Sequence, residues 1–235
     1  MNSVRLDKFL SDNSPLTRSE IRRAIKRCEV TVNGELCKIF DRRVDPEKDK
    51  ICLGGETVGY KNNIYLLMYK QSGVLTASTD KNRQTVIDFV PKEYKHYDLF
   101  PVGRLDKDTT GLLLITNDGE FAHKVISPKS GIPKSYIATV SGVPSSNATE
   151  MFRDGVVLAD GTVCKPAKFE LLNDGEVRVV LTEGKYHQVK RMLARVGLAV
   201  EKLHRESIGK LCLPNSLAEG DFVELSQKEL DLIWQ

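Results

Sequence analysis

The segment PVGRLDKDTTGLLLITNDG, residues 101–119, constrains the fold more than any other part of the 235-residue chain. Its run GLLLIT, at 111–116, is almost purely apolar, which is typical of a strand inside a sheet. Directly before this run stand the charged side chains of Arg104, Asp106 and Asp108. Glycines at both ends of the run favour tight turns there. We therefore predict a buried strand that presents a charged loop at its start.

The remaining patterns predict an α+β fold. Strand patterns outnumber helix patterns and follow no regular βαβ rhythm, which favours a larger mixed, mostly antiparallel sheet with flanking helices. The chain has no P-loop, G-x-G-x-x-G, G-x-S-x-G or H-E-x-x-H pattern. Its five cysteines form no C-x-x-C pair, which argues against zinc and against a disulfide framework. Because no signal or membrane-spanning run is found, we expect a cytoplasmic protein that does not associate with membranes.

Residues 17–27 predict a helix with a positively charged face. Thr17 and Glu20 have the spacing of a capping box, and five positive charges oppose one negative charge over 18–27. A solvated face usually alternates its signs, although a solvated face remains the alternative. Asn33-Gly34 within VTVNGELC predicts a hairpin.

RLDKFL, followed by TRSEIRRAIKRCEVTVNGE, resembles the S4 RNA-binding module. This resemblance implies a small N-terminal S4-like (αL) module that neutralises RNA phosphates with weak sequence specificity. The residues expected to contact RNA are Arg5, Arg18, Arg22, Arg23, Lys26 and Arg27. We place this RNA-binding module at 1–58, a Gly- and Asn-rich linker at 59–63 and the larger domain at 64–235.

GRLDKDTTGLLLITNDG is similar to the signature of the pseudouridine synthases of the RsuA/RluA superfamily, and most of all to the RsuA type. Three further stretches agree in order: KSY at 134–136, EGKYHQVKRML at 183–193 and LHRESIG at 203–209. Together with the S4-like module, the similarity covers almost the whole chain. It implies that the larger domain is catalytic and isomerises a uridine within RNA to pseudouridine, with no cofactor.

The resemblance also implies roles for individual residues. Asp106 is the expected catalytic carboxylate, which attacks the anomeric carbon or takes a proton from the sugar. The cation of Lys190 would stabilise the ionised carboxylate, and Tyr136 would stack on the flipped uracil. Arg104 would hold the RNA backbone or fill the space left by the base, or alternatively pair with Asp108.

A metal site is not expected. Asp106 and Asp108 could form a metal pair, but Arg104 and Lys107 among them oppose cation binding. The histidines lack the spacing of metal ligands and are expected to be packing or surface residues: His96, His123, His187 and His204.

The substrate prediction follows from the S4-like module, the D-x-T-T-G pattern and LHRESIG. These features resemble the enzymes that act on one uridine in bacterial 16S rRNA, the pseudouridine(516) synthase type. The expected partner is ribosomal RNA, free or in an assembling small subunit, and the expected oligomeric state is a monomer. Three alternatives remain: a 23S rRNA synthase of the same family, a non-catalytic S4-type RNA-binding or ribosome-assembly factor, and a glycosidic hydrolase that uses Asp106 and Asp108.

Overall fold

The computed structural model describes three stretches of the chain: residues 3–59, 63–173 and 175–235. Contacts divide the chain into two compact units, one comprising residues up to Ile64 with Val90–Asp98, the other comprising Tyr65–Phe89 with Leu99–Gln235. The centre of the predicted linker, 60–62, lies outside the described residues. The domain boundaries therefore stay a prediction.

The first unit contains two helices, α1 (Leu6–Asp12) and α2 (Arg18–Lys26). Its strands are β1 (Val4–Arg5), β2 (Val30–Val32), β3 (Glu35–Leu36), β4 (Arg43–Val44), β5 (Ile51–Leu53) and β6 (Glu56–Thr57). Strand β1 pairs with β4, and an antiparallel sheet has the order β3-β2-β5-β6. Apolar side chains from both helices and from the strands form one core.

Two local sequence signals in this unit form as predicted. Thr17 Oγ1 accepts a hydrogen bond from the Glu20 amide at 3.3 Å, and the Glu20 carboxylate accepts one from the Thr17 amide at 2.8 Å. This capping box starts α2, whose apolar face is buried. Asn33 and Gly34 have φ angles of 55° and 85°. Two consecutive residues with positive φ make the tight turn that joins β2 to β3.

The second unit is built on one large sheet. Its strands are β7 (Tyr65–Lys70), β8 (Phe100–Pro101), β9 (Thr110–Thr116), β10 (Lys134–Gly142), β11 (Lys168–Leu171), β12 (Glu176–Leu181), β13 (Leu198–Ile208), β14 (Leu211–Cys212) and β15 (Phe222–Glu224). Its helices are α3 (Gly119–Ile126), α4 (Ala148–Asp154), α5 (Gln188–Arg195) and α6 (Gln227–Leu232). Across the described stretches, no helix combines the length and apolar character needed to cross a membrane.

The order of the large sheet is β11-β12-β10-β13-β9-β7-β15, with β14 added to β13 and β8 added to β9. Among the described residues, each strand pairing of this sheet is antiparallel except the one between β9 and β13, which is parallel. The predicted α+β class with a mostly antiparallel sheet and flanking helices is therefore confirmed.

Strand β9 carries the signature segment to the centre of the sheet. From Leu112 to Ile115 its side chains are at most 1% exposed, as the apolar run predicts. Gly111 has a φ of +108°, and a Cβ built there would lie 2.3 Å from the carbonyl oxygen of Arg205 on β13. Only glycine permits this close parallel approach. The charged loop before β9 therefore ends at a fixed point in the sheet.

Candidate active site

A cavity of about 750 Å³ opens in the second unit, and three of the four predicted active-site residues line it. Arg104 and Asp106 from the loop before β9, and Tyr136 from β10, all line it. Segment 183–189, which leads into α5, lines the same cavity. The structure thus brings together in space the three separate sequence stretches GRLD, KSY and EGKYHQV.

Asp106 lies between two side chains of the segment that starts α5. Lys190 Nζ is 3.7 Å from Asp106 Oδ2, and His187 Nε2 is 3.5 Å from Asp106 Oδ1. The Asp106 side chain is 26% exposed, so it is accessible from the cavity. His187 precedes α5 with a left-handed φ of 47°, which turns the chain immediately before the helix. Positive charge can therefore reach both oxygens of the carboxylate when His187 is protonated.

Lys190 contacts two carboxylates, and the nearer one is Asp108. Its Nζ donates hydrogen bonds to Asp108 at 2.6 and 2.8 Å. The hydrogen bond from Lys190 lowers the pKa of Asp108, against the smaller opposing effect of burial. The alternative pairing of Arg104 with Asp108 is not among the ion pairs of the described residues. Lys190 therefore links the two acidic side chains of the loop instead of serving Asp106 alone.

Two buried polar side chains, one at the end of β7 and one in the segment after it, hold the backbone of the loop. Lys70 is fully buried, and its Nζ donates to the carbonyl oxygens of Lys107 at 3.1 Å and Thr109 at 2.8 Å. Thr76 Oγ1 donates to the carbonyl oxygen of Leu105 at 2.8 Å. Burial lowers the pKa of Lys70 to about 8, although nearby carboxylates oppose this effect. The residues on both sides of the catalytic candidate are therefore fixed by main-chain hydrogen bonds.

Tyr136 forms part of the cavity wall from the centre of the sheet. In the strand register it lies opposite Arg205 on β13 and Val179 on β12. It is 9% exposed and lines the cavity. A ring held by strands on both sides can offer a rigid surface for stacking. Its role as the uracil platform stays a prediction.

Sequence reasoning missed three residues of this site. His187 was expected to be a packing or surface residue, yet its ring lies beside Asp106. Lys70 is the last residue of an otherwise apolar strand, YLLMYK. A lysine at the end of such a strand could have indicated a buried polar contact. Arg205 stands in the LHRESIG stretch, and no local pattern indicates that its side chain is buried in the cavity wall.

The six basic residues predicted to contact RNA lie in the first unit and divide into two groups. Arg5 and Arg22 both bind the fully buried carboxylate of Asp7, at 3.0 and 2.9 Å. The other four are exposed: Arg18, Arg23, Lys26 and Arg27. Their contacts with RNA stay a prediction, whereas Arg5 and Arg22 have a structural role as well.

The ion pairs of Asp7 make the first unit sensitive to acid. Burial opposes ionisation, but the hydrogen bonds from Arg5 and Arg22 together lower the pKa of Asp7 below its ordinary value of 3.8. Because the folded state has the lower pKa, the stabilisation is fully present above about pH 4. It is lost as the pH falls through the folded value.

We expect Arg22→Ala to destabilise the first unit by about 1–2 kcal/mol, because it removes one of two cations from a buried carboxylate while solvent screens the exposed guanidinium. Lys26→Ala, one turn further along α2, should change stability by less than about 0.5 kcal/mol. Both variants should weaken RNA binding. Hydrogen–deuterium exchange of peptides from α1 and α2 would measure the difference, and equal protection in both variants would contradict it.

Comparison with known proteins agrees with this architecture. Residues 64–195 match the family model for RNA pseudouridylate synthase, and residues 4–51 match the S4 domain. The chain is 41% identical to "Uncharacterized RNA pseudouridine synthase YtzG" of Bacillus subtilis, with 98% of each chain covered. It is 40% identical to "Ribosomal small subunit pseudouridine synthase A" of Pasteurella multocida, with 97% of this chain and 98% of the relative covered.

A solved structure described as "Crystal structure of pseudouridylate synthase" superposes with a TM-score of 0.68 at 36% identity, covering 98% of this chain and 99% of that one. The family match spans more than half of the chain, and the relatives align over nearly its full length. The cavity, the S4 domain and these similarities lead to one conclusion: the chain belongs to the RNA pseudouridylate synthase family and is an isomerase of RNA.

Proposed function

We propose that this enzyme isomerises one uridine of small-subunit ribosomal RNA, of the 16S pseudouridine(516) type, with Asp106 as the catalytic carboxylate. One observation carries the catalytic part of the proposal. Asp106 lines a cavity together with Tyr136, and Lys190 and His187 lie within 4 Å of its two oxygens. The substrate part is supported by full-length relatives from Pasteurella multocida and Escherichia coli, both named ribosomal small subunit pseudouridine synthase A.

The cavity is suited to a single nucleoside taken out of the RNA. Its volume, about 750 Å³, lies within the range of about 300–1,000 Å³ that is typical of small-molecule sites. A base stacked within RNA cannot expose its glycosidic bond to a carboxylate, so the uridine must flip out. Stacking of the uracil on Tyr136 would offset part of that cost, at about 1–3 kcal/mol.

The reaction breaks the N1–C1′ bond of the uridine and forms a C5–C1′ bond. C5 loses a proton and N1 gains one, so the mass of the RNA does not change. Asp106 either bonds to C1′ as a nucleophile or removes a proton from the sugar, and both routes require an ionised carboxylate. The ammonium group of Lys190, 3.7 Å from Asp106 Oδ2, can pair with the carboxylate. Its hydrogen bonds to Asp108 would hold the ammonium group in place beside Asp106.

Contacts beyond the target uridine are assigned to exposed basic residues. Arg104 is exposed at the cavity, where it can bind a phosphate or occupy the space left by the flipped base. The exposed basic residues of α2 can neutralise further phosphates, so binding should weaken as salt rises. A ribosomal RNA substrate also implies a cytoplasmic enzyme. We expect a monomer, which light scattering of the purified protein would test.

The test is to incubate the purified protein with unmodified small-subunit and large-subunit rRNA, each supplied both naked and in assembling particles. Pseudouridine is then mapped by carbodiimide-dependent stops of primer extension. A single stop in small-subunit RNA is the expected result. A stop in large-subunit RNA alone would support the isomerase activity but contradict the proposed small-subunit substrate. No stop in any RNA, with binding intact, would favour an assembly factor, and release of free uracil would indicate a hydrolase.

A further inference from the structure

Arg205 lies in the cavity wall beside Tyr136. The antiparallel register of β10 and β13 sets these two residues opposite each other, and both line the cavity. Directly opposite side chains of such a pair lie on the same face of the sheet, with Cβ atoms about 4.5–5.5 Å apart. The guanidinium of Arg205 is therefore a neighbour of the ring on which we propose that the uracil stacks.

Within residues 3–59, 63–173 and 175–235, no carboxylate forms an ion pair with this buried guanidinium. Arg205 is 3% exposed, and its Nε donates a hydrogen bond to the carbonyl oxygen of Leu112 at 2.8 Å. Its Nη2 is shielded from solvent, and no group in the described part of the chain accepts a hydrogen bond from it. Burial of a charged donor without a partner is costly, so such an atom is a candidate for binding a ligand.

A second buried cation lies close to Arg205. Lys134 also lines the cavity, is 9% exposed and donates from Nζ to the carbonyl oxygens of Val125 and Ile132. Burial, together with the positive charge of Arg205, lowers the pKa of Lys134 to about 8, so it remains mostly protonated at pH 7. Neither cation forms an ion pair within the described stretches. This part of the wall therefore favours a ligand that carries or develops negative charge.

The proposed reaction generates negative charge on the base. When the N1–C1′ bond breaks, its electron pair stays with N1, and the uracil becomes an anion whose charge is shared with O2 and O4. This holds whether Asp106 attacks C1′ or removes a sugar proton. C5 then bonds to C1′, either as the Asp106–C1′ bond breaks or as Asp106 returns the proton to the sugar. The proton on C5 leaves and N1 gains a proton, which restores a neutral base.

We propose that Arg205 donates a hydrogen bond from Nη2 to O2 or O4 of the flipped uracil and stabilises the anionic base during glycosidic cleavage. This inference rests on the proposed function. A buried donor aimed at developing charge in a site that excludes water can accelerate a reaction strongly, because it needs no reorganisation during the step. A backbone phosphate is a poorer match for Arg205, since phosphates stay at the solvent side of a flipped nucleotide, where Arg104 is exposed.

The test compares the wild type, Arg205→Met and Arg205→Lys in single-turnover reactions with saturating enzyme. The substrates are three RNAs that carry uridine, 2-thiouridine or 4-thiouridine at the mapped target position. Sulfur accepts hydrogen bonds more weakly than oxygen, so each thio-substrate alters one of the two candidate acceptors. Arg178→Met is the matched control, because Arg178 lies on β12 and binds Glu170 and Glu206 instead of lining the cavity.

With uridine, Arg205→Met should reduce the single-turnover rate by about 10²-fold or more, with little change in RNA affinity, and Arg205→Lys should recover part of the rate. The ratio of uridine to thiouridine rates should also differ between the wild type and Arg205→Met by at least fivefold for one of the two oxygens.

If Arg205 has only a structural role, Arg205→Met should slow all three substrates by the same factor, so that each uridine-to-thiouridine ratio equals that of the wild type. This result would overturn the proposal. If the wild type accepts neither thio-substrate, a folded Arg205→Met with a rate within threefold of the wild type would overturn it. If the wild type does not isomerise uridine at all, the proposed function fails instead.

Discussion

Asp106→Asn is expected to lower the single-turnover rate of pseudouridine formation by about 10⁴-fold or more. The amide has almost the same shape as the carboxylate, so the cavity and its neighbours should be preserved. It is neither a useful nucleophile nor a base at neutral pH, and it offers no negative charge to the anomeric carbon. Rate is measured on the RNA identified by mapping, and fluorescence anisotropy checks that RNA binding is unchanged.

Asp108→Asn is the matched control for this prediction. Asp108 belongs to the same loop, two residues away, and shares Lys190 with Asp106. Its side chain is 70% exposed, and the substitution should lower the rate by no more than about tenfold, because only the positioning of Lys190 changes. A similar loss in both variants, or an Asp106→Asn rate within tenfold of the wild type, would contradict the assignment of Asp106 as the catalytic carboxylate.

Gly111→Ala is expected to destabilise the second unit by about 3–5 kcal/mol. The positive φ of Gly111 costs an alanine about 1–3 kcal/mol, and the added Cβ would lie 2.3 and 2.7 Å from the backbone oxygen and nitrogen of Arg205. Those atoms belong to a central strand, so they can move only by disturbing the sheet, at a further cost of about 1–3 kcal/mol. Urea unfolding followed by the fluorescence of Trp234, which lies in this unit, would measure the effect.

The same substitution at Gly119 provides the comparison. Gly119 begins α3, has no left-handed φ, and a Cβ there would meet nothing within 4 Å. Gly119→Ala should therefore leave the stability within about 0.5 kcal/mol of the wild type or raise it slightly. If Gly111→Ala unfolds at the same urea concentration as Gly119→Ala, the close approach of β9 and β13 does not constrain the sheet as described.

Local features of the fold could be predicted from the sequence because their causes are local. The capping box at Thr17 and Glu20, the Asn33-Gly34 turn and the apolar strand at 111–116 each depend on side chains a few residues apart. The parallel pairing of β9 with β13 could not be predicted in this way. It joins segments almost a hundred residues apart, and no periodicity encodes which strands become neighbours.

The candidate site shows the same division. Resemblance to a family selected Asp106, Tyr136 and Lys190, and the structure brings the three near one cavity. The resemblance did not indicate that Lys190 would bind Asp108 more closely than Asp106. The two distances from Lys190 Nζ, 2.6 Å and 3.7 Å, differ by only about 1 Å. The roles of His187 and Arg205 were missed for a related reason. Their contacts depend on how α5 and β13 pack and not on the residues next to them in the sequence.

The return of Val90–Asp98 to the first unit has a consequence for attempts to exchange RNA-binding modules between enzymes of this kind. A graft that cuts the chain only within 59–63 would transfer most of the first unit but leave this segment behind. The recipient would then keep a segment whose own unit has been removed. A chimera that keeps its solubility should therefore exchange 90–98 together with the N-terminal residues, as two insertions instead of one.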